Sequence, residues 1–214
     1  MSQPAATCPS CGAPVQFRWS SAVQTVCPYC RSILVRDDLN LRDVGKVGDL
    51  PPDSSPIQLL SEGVYKGKAF QVTGRILYEY ENGGWNEWHI IFSDGVSGWL
   101  SDAQLQYAIS FLVRREGPLP DVNQIFRGNV LALNHGMNFQ VATITRAGYK
   151  GVEGDLPFAY FNKGAGMKFA DLRTTGPQFG TIDYSEQPPL LFLGEWVNFE
   201  DLQLKNLRQF EGWA

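Results

Sequence analysis

A chain of 214 residues is long enough for one sizeable domain with a small companion, or for two modest β domains. Its 22 Asp and Glu against 18 Lys and Arg, with no basic run, argue against a nucleic-acid binder, which needs a positive face. No stretch approaches the ~18 consecutive apolar residues of a membrane-spanning helix, and MSQPAAT at the start lacks both the charged and the apolar regions of a signal peptide.

The first element in the chain is CPSCGAPVQFRWSSAVQTVCPYC: Cys-x2-Cys, fifteen residues, then Cys-x2-Cys. Each pair suits a tight knuckle whose two sulfurs converge, and Gly12 follows the first pair where a positive φ is often needed. Residues 15–19 and 24–26 alternate like a short hairpin that returns the chain to the second knuckle. Four thiolates at this spacing predict a structural zinc ribbon over residues 1–36, with Cys8, Cys11, Cys27 and Cys30 as a closed ligand set. A segment this short has too few apolar residues to fold alone, so metal binding supplies its folding free energy. The competing readings are a redox dithiol and a pair of disulfides. A thioredoxin-like motif would carry one Cys-x-x-Cys at a helix start within a βαβ pattern, which is absent. Cysteines confined to such pairs suit a reducing compartment, and the protein is read as cytoplasmic.

Residues 37–56, with DLPPDSSP, read as a linker or surface connection, and 57–214 as a β-rich domain with an internal boundary near 115–121 at Pro118 and Pro120. From Phe70 to Tyr80, apolar and polar residues alternate in the manner of a half-buried strand. Asn82-Gly83-Gly84 turns the chain into Trp85–Phe92, and Ser93-Asp94-Gly95 turns it into Val96–Leu100, forming a meander. Ser101–Gln106 reads as one helical turn before a strand at Tyr107–Val113. Further strands are expected at Phe139–Thr145, Phe158–Phe161, Phe179–Tyr184 and Leu190–Phe199, with a loop at Gly148–Pro157 and an amphipathic helix at Phe199–Phe210. The predicted class is mainly β: a four-cysteine zinc ribbon, then one or two small barrels or packed antiparallel sheets. Short echoes, GRILYEY with GTIDYSE and WLSDAQL with NFEDLQL, hint at a duplicated unit, although matches this short also arise by chance.

The segment GGWNEWHIIFSDGVSGWLSDAQ resembles the bacterial domain of unknown function 4178 family, through Trp85, Glu87, Trp88, Asp94, Gly95, Trp99 and Leu100. FQVTGRILY and FGTIDYSEQPPLLFLGEWVNFEDL fit as well, so the resemblance covers roughly Leu41–Leu204; Leu105 stands where the pattern has a glycine. An N-terminal zinc ribbon is a familiar companion of that domain. The family has no established activity. Its members are encoded beside polyamine-synthase-like, small membrane and envelope-stress proteins, which implies an accessory role near a membrane.

Trp85, Trp88 and Trp99 with Glu87 and Asp94 form a candidate ligand or partner surface, because aromatic faces and carboxylates together attract an organic cation such as a polyamine. On a strand, Trp85 and Glu87 share a face while Trp88 takes the other. The structural alternative packs these aromatics into a small barrel and pairs Glu87 with a turn or with Arg75. Glu87 and His89 could do acid–base work, but no Ser, Cys or third ligand accompanies them at a recognisable spacing. His135 reads as a turn residue, and Gly-Ala-Gly at 164–166 is followed by no phosphate-loop Lys-Ser. Asp94, Asp155 and Asp183 occupy turn-like contexts; two of them could pair as glycosidase carboxylates, with nothing to fix their distance. The expected function is a non-enzymatic adaptor for a protein partner, associated with a membrane only through that partner. An organic-cation sensor is the alternative, and a nucleic-acid-binding ribbon resting on Arg18, Trp19 and Arg31 is weaker still.

Overall fold

Aromatic and β-branched residues at every second position, broken by Gly- and Asn-containing turns, make strands through most of the chain. The computed structural model describes residues 6–37, 40–47, 50, 54–115, 117–133, 136–159 and 166–210. At the N-terminus, β1 (Ala6–Thr7) pairs with β2 (Pro14–Val15), while β3 (Gln24–Val26), β4 (Ser32–Asp37) and β5 (Asn40–Lys46) make a three-stranded antiparallel sheet. The expected hairpin between residues 15–19 and 24–26 does not form, because each Cys-x-x-Cys turn reverses the chain on itself and joins its own flanking strands.

The remainder is a meander of β7 (Lys68–Tyr80), β8 (Gly83–Phe92), β9 (Ser97–Ala103) and β10 (Gln106–Val113), then a second meander. The second comprises β12 (Asn138–Gly154), β13 (Met167–Arg173), β14 (Gln178–Asp183) and β15 (Leu190–Val197). The last strands of the two meanders pair, β10 with β15, and so do the first, β12 with β7. The result is a closed, antiparallel, eight-stranded barrel. Two short strands extend the sheet outside the ring: β6 (Glu62–Tyr65) on β7 and β11 (Val130–Ala132) on β12. The 115–121 stretch joins β10 to β11, and strands from both sides of it belong to the one barrel. GRILYEY and GTIDYSE fall on β7 and β14, the first strand of one meander and the third of the other, so the echo does not relate equivalent positions.

Closure depends on bulges and on glycine. Register shifts at Val72/Gly74 and Tyr149/Gly151 bend the two longest strands of the ring. Where β7 passes the end of β12, a Cβ on Gly74 would lie 2.2 Å from the Asp155 carbonyl oxygen, and one on Gly154 2.2 Å from that of Thr73. The 148–157 loop expected from these glycines is therefore mostly strand: β12 runs on to Gly154. The shift at Val72/Gly74 also splits the even-numbered series of β7. Phe70 and Val72 join an outer cluster with Trp88, Ile90 and Phe92, whereas Ile76 and Tyr78 join an inner one. β7 is thus buried on both faces along most of its length, not half-buried.

Both outer faces of the barrel are covered by chain. Ile57, Phe199, Leu202 and Leu204 pack over β7–β10, while Ile125, Leu131 and Leu133 pack over the second meander. Phe199–Phe210 forms no amphipathic helix; it holds one 3-10 turn at Glu200–Leu202, and Lys205 then bridges back to Glu62. Ser101–Gln106 is not helical either, since β9 continues to Ala103 and a two-residue turn leads into β10. That turn explains the family glycine at Leu105: Gln104 and Leu105 both take positive φ, 51° and 64°. Phe158 lies in a bend, and residues 160–161 of the expected strand fall outside the described residues, as do His135 and Gly164.

Gly74→Ala places a methyl group against backbone that cannot retreat, and should lower stability by about 1–3 kcal/mol. A urea-unfolding midpoint equal to the parent's would show that this crossing does not constrain the barrel.

Candidate functional site: a cysteine cluster and a barrel cavity

The two cysteine knuckles have the same backbone geometry. Gly12 N donates to Cys8 O at 2.9 Å and Arg31 N to Cys27 O at 3.0 Å; Cys8 N donates to Ala13 O and Cys27 N to Ser32 O, both at 2.9 Å. Gly12 and Arg31, each directly after its pair, take φ of 75° and 61°. All four Sγ atoms lie within 4.8 Å of one another, with Cys8–Cys30 at 3.7 Å and Cys11–Cys27 at 3.8 Å. Four thiolates at the ~2.3 Å bond length of a tetrahedral zinc site would stand about 3.8 Å apart, so the cluster is compatible with a four-coordinate metal. The cysteines are not disulfide-bonded.

The second feature is a cavity of about 340 Å³ inside the barrel, lined by residues from β7, β8, β9, β10 and all four strands of the second meander. One wall is aromatic: Tyr78 stacks on Trp85 at 4.9 Å between ring centroids, and Phe169 meets Trp85 edge-on at 5.7 Å. Glu87 lies on the same face of β8 as Trp85. It accepts from Trp85 Nε1 at 3.0 Å through Oε1 and from Ser101 Oγ at 2.8 Å through Oε2. Enclosure by the barrel pushes its carboxyl up to about 7, against those two hydrogen bonds and with help from the negative charges of Asp171 and Asp102. Asp171 is raised too, again by burial, while Thr181 Oγ1 donates to it at 2.9 Å. Asp183 also faces the cavity, and among the described residues no Lys or Arg lines it.

The cavity runs to the barrel end bounded by Tyr80, Gly84, Gln104 and Trp196. The opposite end is closed by the cysteine-bearing segment. There Asp155, just past β12 and 1 % exposed, accepts from Arg18 N at 2.5 Å and Trp19 N at 3.2 Å through Oδ2, and from Thr25 Oγ1 at 2.6 Å through Oδ1. Burial raises the Asp155 carboxyl, and these three donors oppose the rise. The Trp19 ring packs on His89 at 5.0 Å, and His89 packs on Trp99 at 5.1 Å, a residue of the cavity wall. His89 is fully buried. Its Nδ1 pairs with Thr73 Oγ1 and its Nε2 with Ser97 Oγ, both at 2.8 Å. Burial lowers its pKa to about 4, so the imidazole is neutral at physiological pH.

Of the five surface candidates, the structure brings Trp85, Glu87 and Trp99 together in the cavity. Trp88 points outward into the cluster with Ile90 and Leu100, under the Arg75 guanidinium at 4.9 Å. Asp94 pairs with Lys68 at 2.6 Å on an exposed turn, away from the cavity. Arg75 bonds Asn86 and Glu153, not Glu87, because it lies on the outer face of β7. Asp94, Asp155 and Asp183 occupy three separate places and form no carboxylate pair. Asp171, Thr181 and Phe169 are site residues that sequence reasoning misses. The signal for two of them is the alternation of Met167, Phe169 and Asp171 with Lys168, Ala170 and Leu172 along β13.

The fold and these two features define a closed β-barrel with an interior cavity and a cysteine cluster at its sealed end. The profile of the family described as Domain of unknown function (DUF4178) matches residues 61–199, most of the barrel, and the chain belongs to that family. No curated protein and no solved structure matches the chain.

Glu87 gives a pH dependence of known sign. Its folded pKa lies above its usual 4.5, so the native state holds a proton that the unfolded chain releases, and stability falls as pH rises from about 4.5 to about 7. Glu87→Gln should therefore stabilise the protein at pH 8 by up to about 3 kcal/mol, and by progressively less toward pH 4.5. Parallel urea-unfolding curves at pH 5 and 8 with a constant difference would contradict this.

Proposed function

We propose that this protein is a non-enzymatic receptor for a small organic cation, built as a zinc ribbon seated on a ligand-binding β-barrel. The observation that carries the reading is the composition of the cavity. Among the described residues, Trp85, Glu87 and Trp99 share it with two further carboxyl groups and no basic side chain, in a volume of about 340 Å³ within the range of small-molecule sites. An ammonium group gains from carboxylates and aromatic faces at once, and more so where water is excluded. An anionic ligand would be repelled by these carboxyl groups, and a neutral one would gain nothing from their charge. The closed thiolate set has no position for substrate or water, which supports a structural zinc. Four cysteines confined to Cys-x-x-Cys pairs support a cytoplasmic setting.

The adaptor reading keeps one supporting observation: Leu105, 81 % exposed, and Trp196, 41 % exposed, stand at or beside the cavity mouth and offer apolar surface to a protein partner. The nucleic-acid reading has lost its aromatic platform, since the Trp19 ring packs on His89.

Two measurements test the proposal. Native mass spectrometry should find one zinc per chain, absent from Cys27→Ser, whose melting temperature should fall; a metal-free parent of equal stability would refute the zinc. A panel of tetramethylammonium, benzyltrimethylammonium, putrescine and spermidine at millimolar concentration should include ions that raise the melting temperature, while benzyl alcohol does not. Affinity should rise from pH 6 to pH 8 as Glu87 ionises, and Glu87→Gln should weaken binding roughly 10- to 100-fold. Failure of every ammonium ion to shift melting would sink the cation reading.

A further inference from the structure

The cysteine-bearing segment is the floor of the cavity as well as a metal site. The fifteen residues between Cys11 and Cys27 are fixed at both ends by ligand pairs, and this same loop supplies Arg18 N, Trp19 N and Thr25 Oγ1 to Asp155. Its next turn is stitched to the barrel, Val23 N donating to Leu156 O at 3.0 Å and Leu156 N to Gln24 O at 2.9 Å. Trp19, His89 and Trp99 form an unbroken row of rings from the loop to the cavity wall. Arg36 of β4 also holds the loop, its N donating to Val23 O and its guanidinium to Ser20 O and over the Phe17 ring, so the ligand pairs fix the ends of a loop whose middle rests on β4 and the barrel. The core around the cysteines is Cys8, Val15, Cys27 and Leu34, with Cys30 and Leu41 against it, too small to fold without a metal.

We propose that the metal site and the barrel cavity are coupled binding sites: metal holds the Trp19 loop as the floor of the cavity, and each ligand strengthens binding of the other. The proposal rests on reading the cavity as an ammonium site. Loss of metal frees the loop, strips three donors from the buried Asp155 and lifts Trp19 off His89. Water then reaches the row of rings behind Trp99, and a bound cation loses both a fixed wall and its dry surroundings. Thermodynamic linkage makes the effect reciprocal, so a cation in the cavity raises the affinity for metal by the same factor.

The test uses the full chain, zinc-loaded and zinc-stripped, with benzyltrimethylammonium as the probe. Calorimetric titration should show the probe binding at least about fivefold more weakly without zinc, the lower end of usual coupling. Competition with a chromophoric chelator should show zinc held more tightly by the same factor when the probe is present. Hydrogen exchange should accelerate on zinc removal at floor residues 97–100 and 152–156 but not at rim residues 80–87. Trp19→Ala, which leaves all four cysteines intact, should keep one zinc per chain and bind the probe as weakly as the stripped protein. It carries the test if chelation unfolds the chain. Equal probe affinity and equal floor protection with and without zinc would overturn the coupling, as would a zinc-loaded Trp19→Ala that binds like the parent. Two outcomes separate the proposal from the reading beneath it. Probe binding that ignores zinc ends the coupling and spares the cavity reading, whereas zinc-dependent floor protection with no binding by any ammonium ion ends the cavity reading and leaves the floor tied to the metal.

Discussion

Pairing of β12 with β7 is the constraint on which the rest of the molecule depends. β12 is hydrogen-bonded to β13 on one side and β7 on the other, and this second pairing turns a ten-stranded sheet into a barrel. It also carries Asp155 to the barrel end, where glycines at 74 and 154 let the backbones cross. A carboxylate buried there without partners would cost several kcal/mol. Its donors come from a loop 130 or more residues away in sequence. Barrel closure, the buried acid and the cysteine segment are therefore one arrangement, in which no part is satisfied alone.

What the sequence displayed most legibly was local. Four cysteines at fixed spacing constrain their own turns, and the φ angles after each pair follow from that geometry. The meander from β7 to β9 was readable because Asn82-Gly83 and Asp94-Gly95 turn within a few residues of the alternation they connect. Trp85 and Glu87 lie two apart on β8, so their shared face followed from parity, and the β8–β9 register adds Trp99 to it. Asp171 and Asp183 belong to the other meander and reach the cavity only through closure, which no short window of sequence records.

Glycine misled in a specific way. Gly148, Gly151 and Gly154 read as loop, yet they lie inside β12. A Cβ at Gly151 would strike Leu50, 2.4 Å away, and one at Gly154 would strike backbone, so these positions mark close approach within a strand and not a break in it. β7 misled for a related reason. Thr73 and Arg75 looked solvent-facing and are buried, Thr73 against His89 and Arg75 against Asn86 and Trp88. Alternation of polar with apolar residues signals one wet face only when nothing covers the other.

That covering layer is what permits the polar interior. An eight-stranded barrel has room either for side chains that fill it or for one small ligand, and a filled interior is the usual source of stability. Here two apolar clusters lie outside the ring, one roofed by the 57–59 and 199–207 segments and one by the segment around 119–133. With those clusters supplying burial, the interior positions Ser101, Ala103, Ser110, Thr143, Thr145 and Thr181 can stay small. Their size leaves a void, and the hydroxyls of Ser101 and Thr181 hold the carboxyls of Glu87 and Asp171 in place. Buried carboxyls that repel one another are a poor way to stabilise a barrel, and on the proposed function they are the groups a cation would meet. The outer layers hold the fold together, which frees the inner face to carry charge.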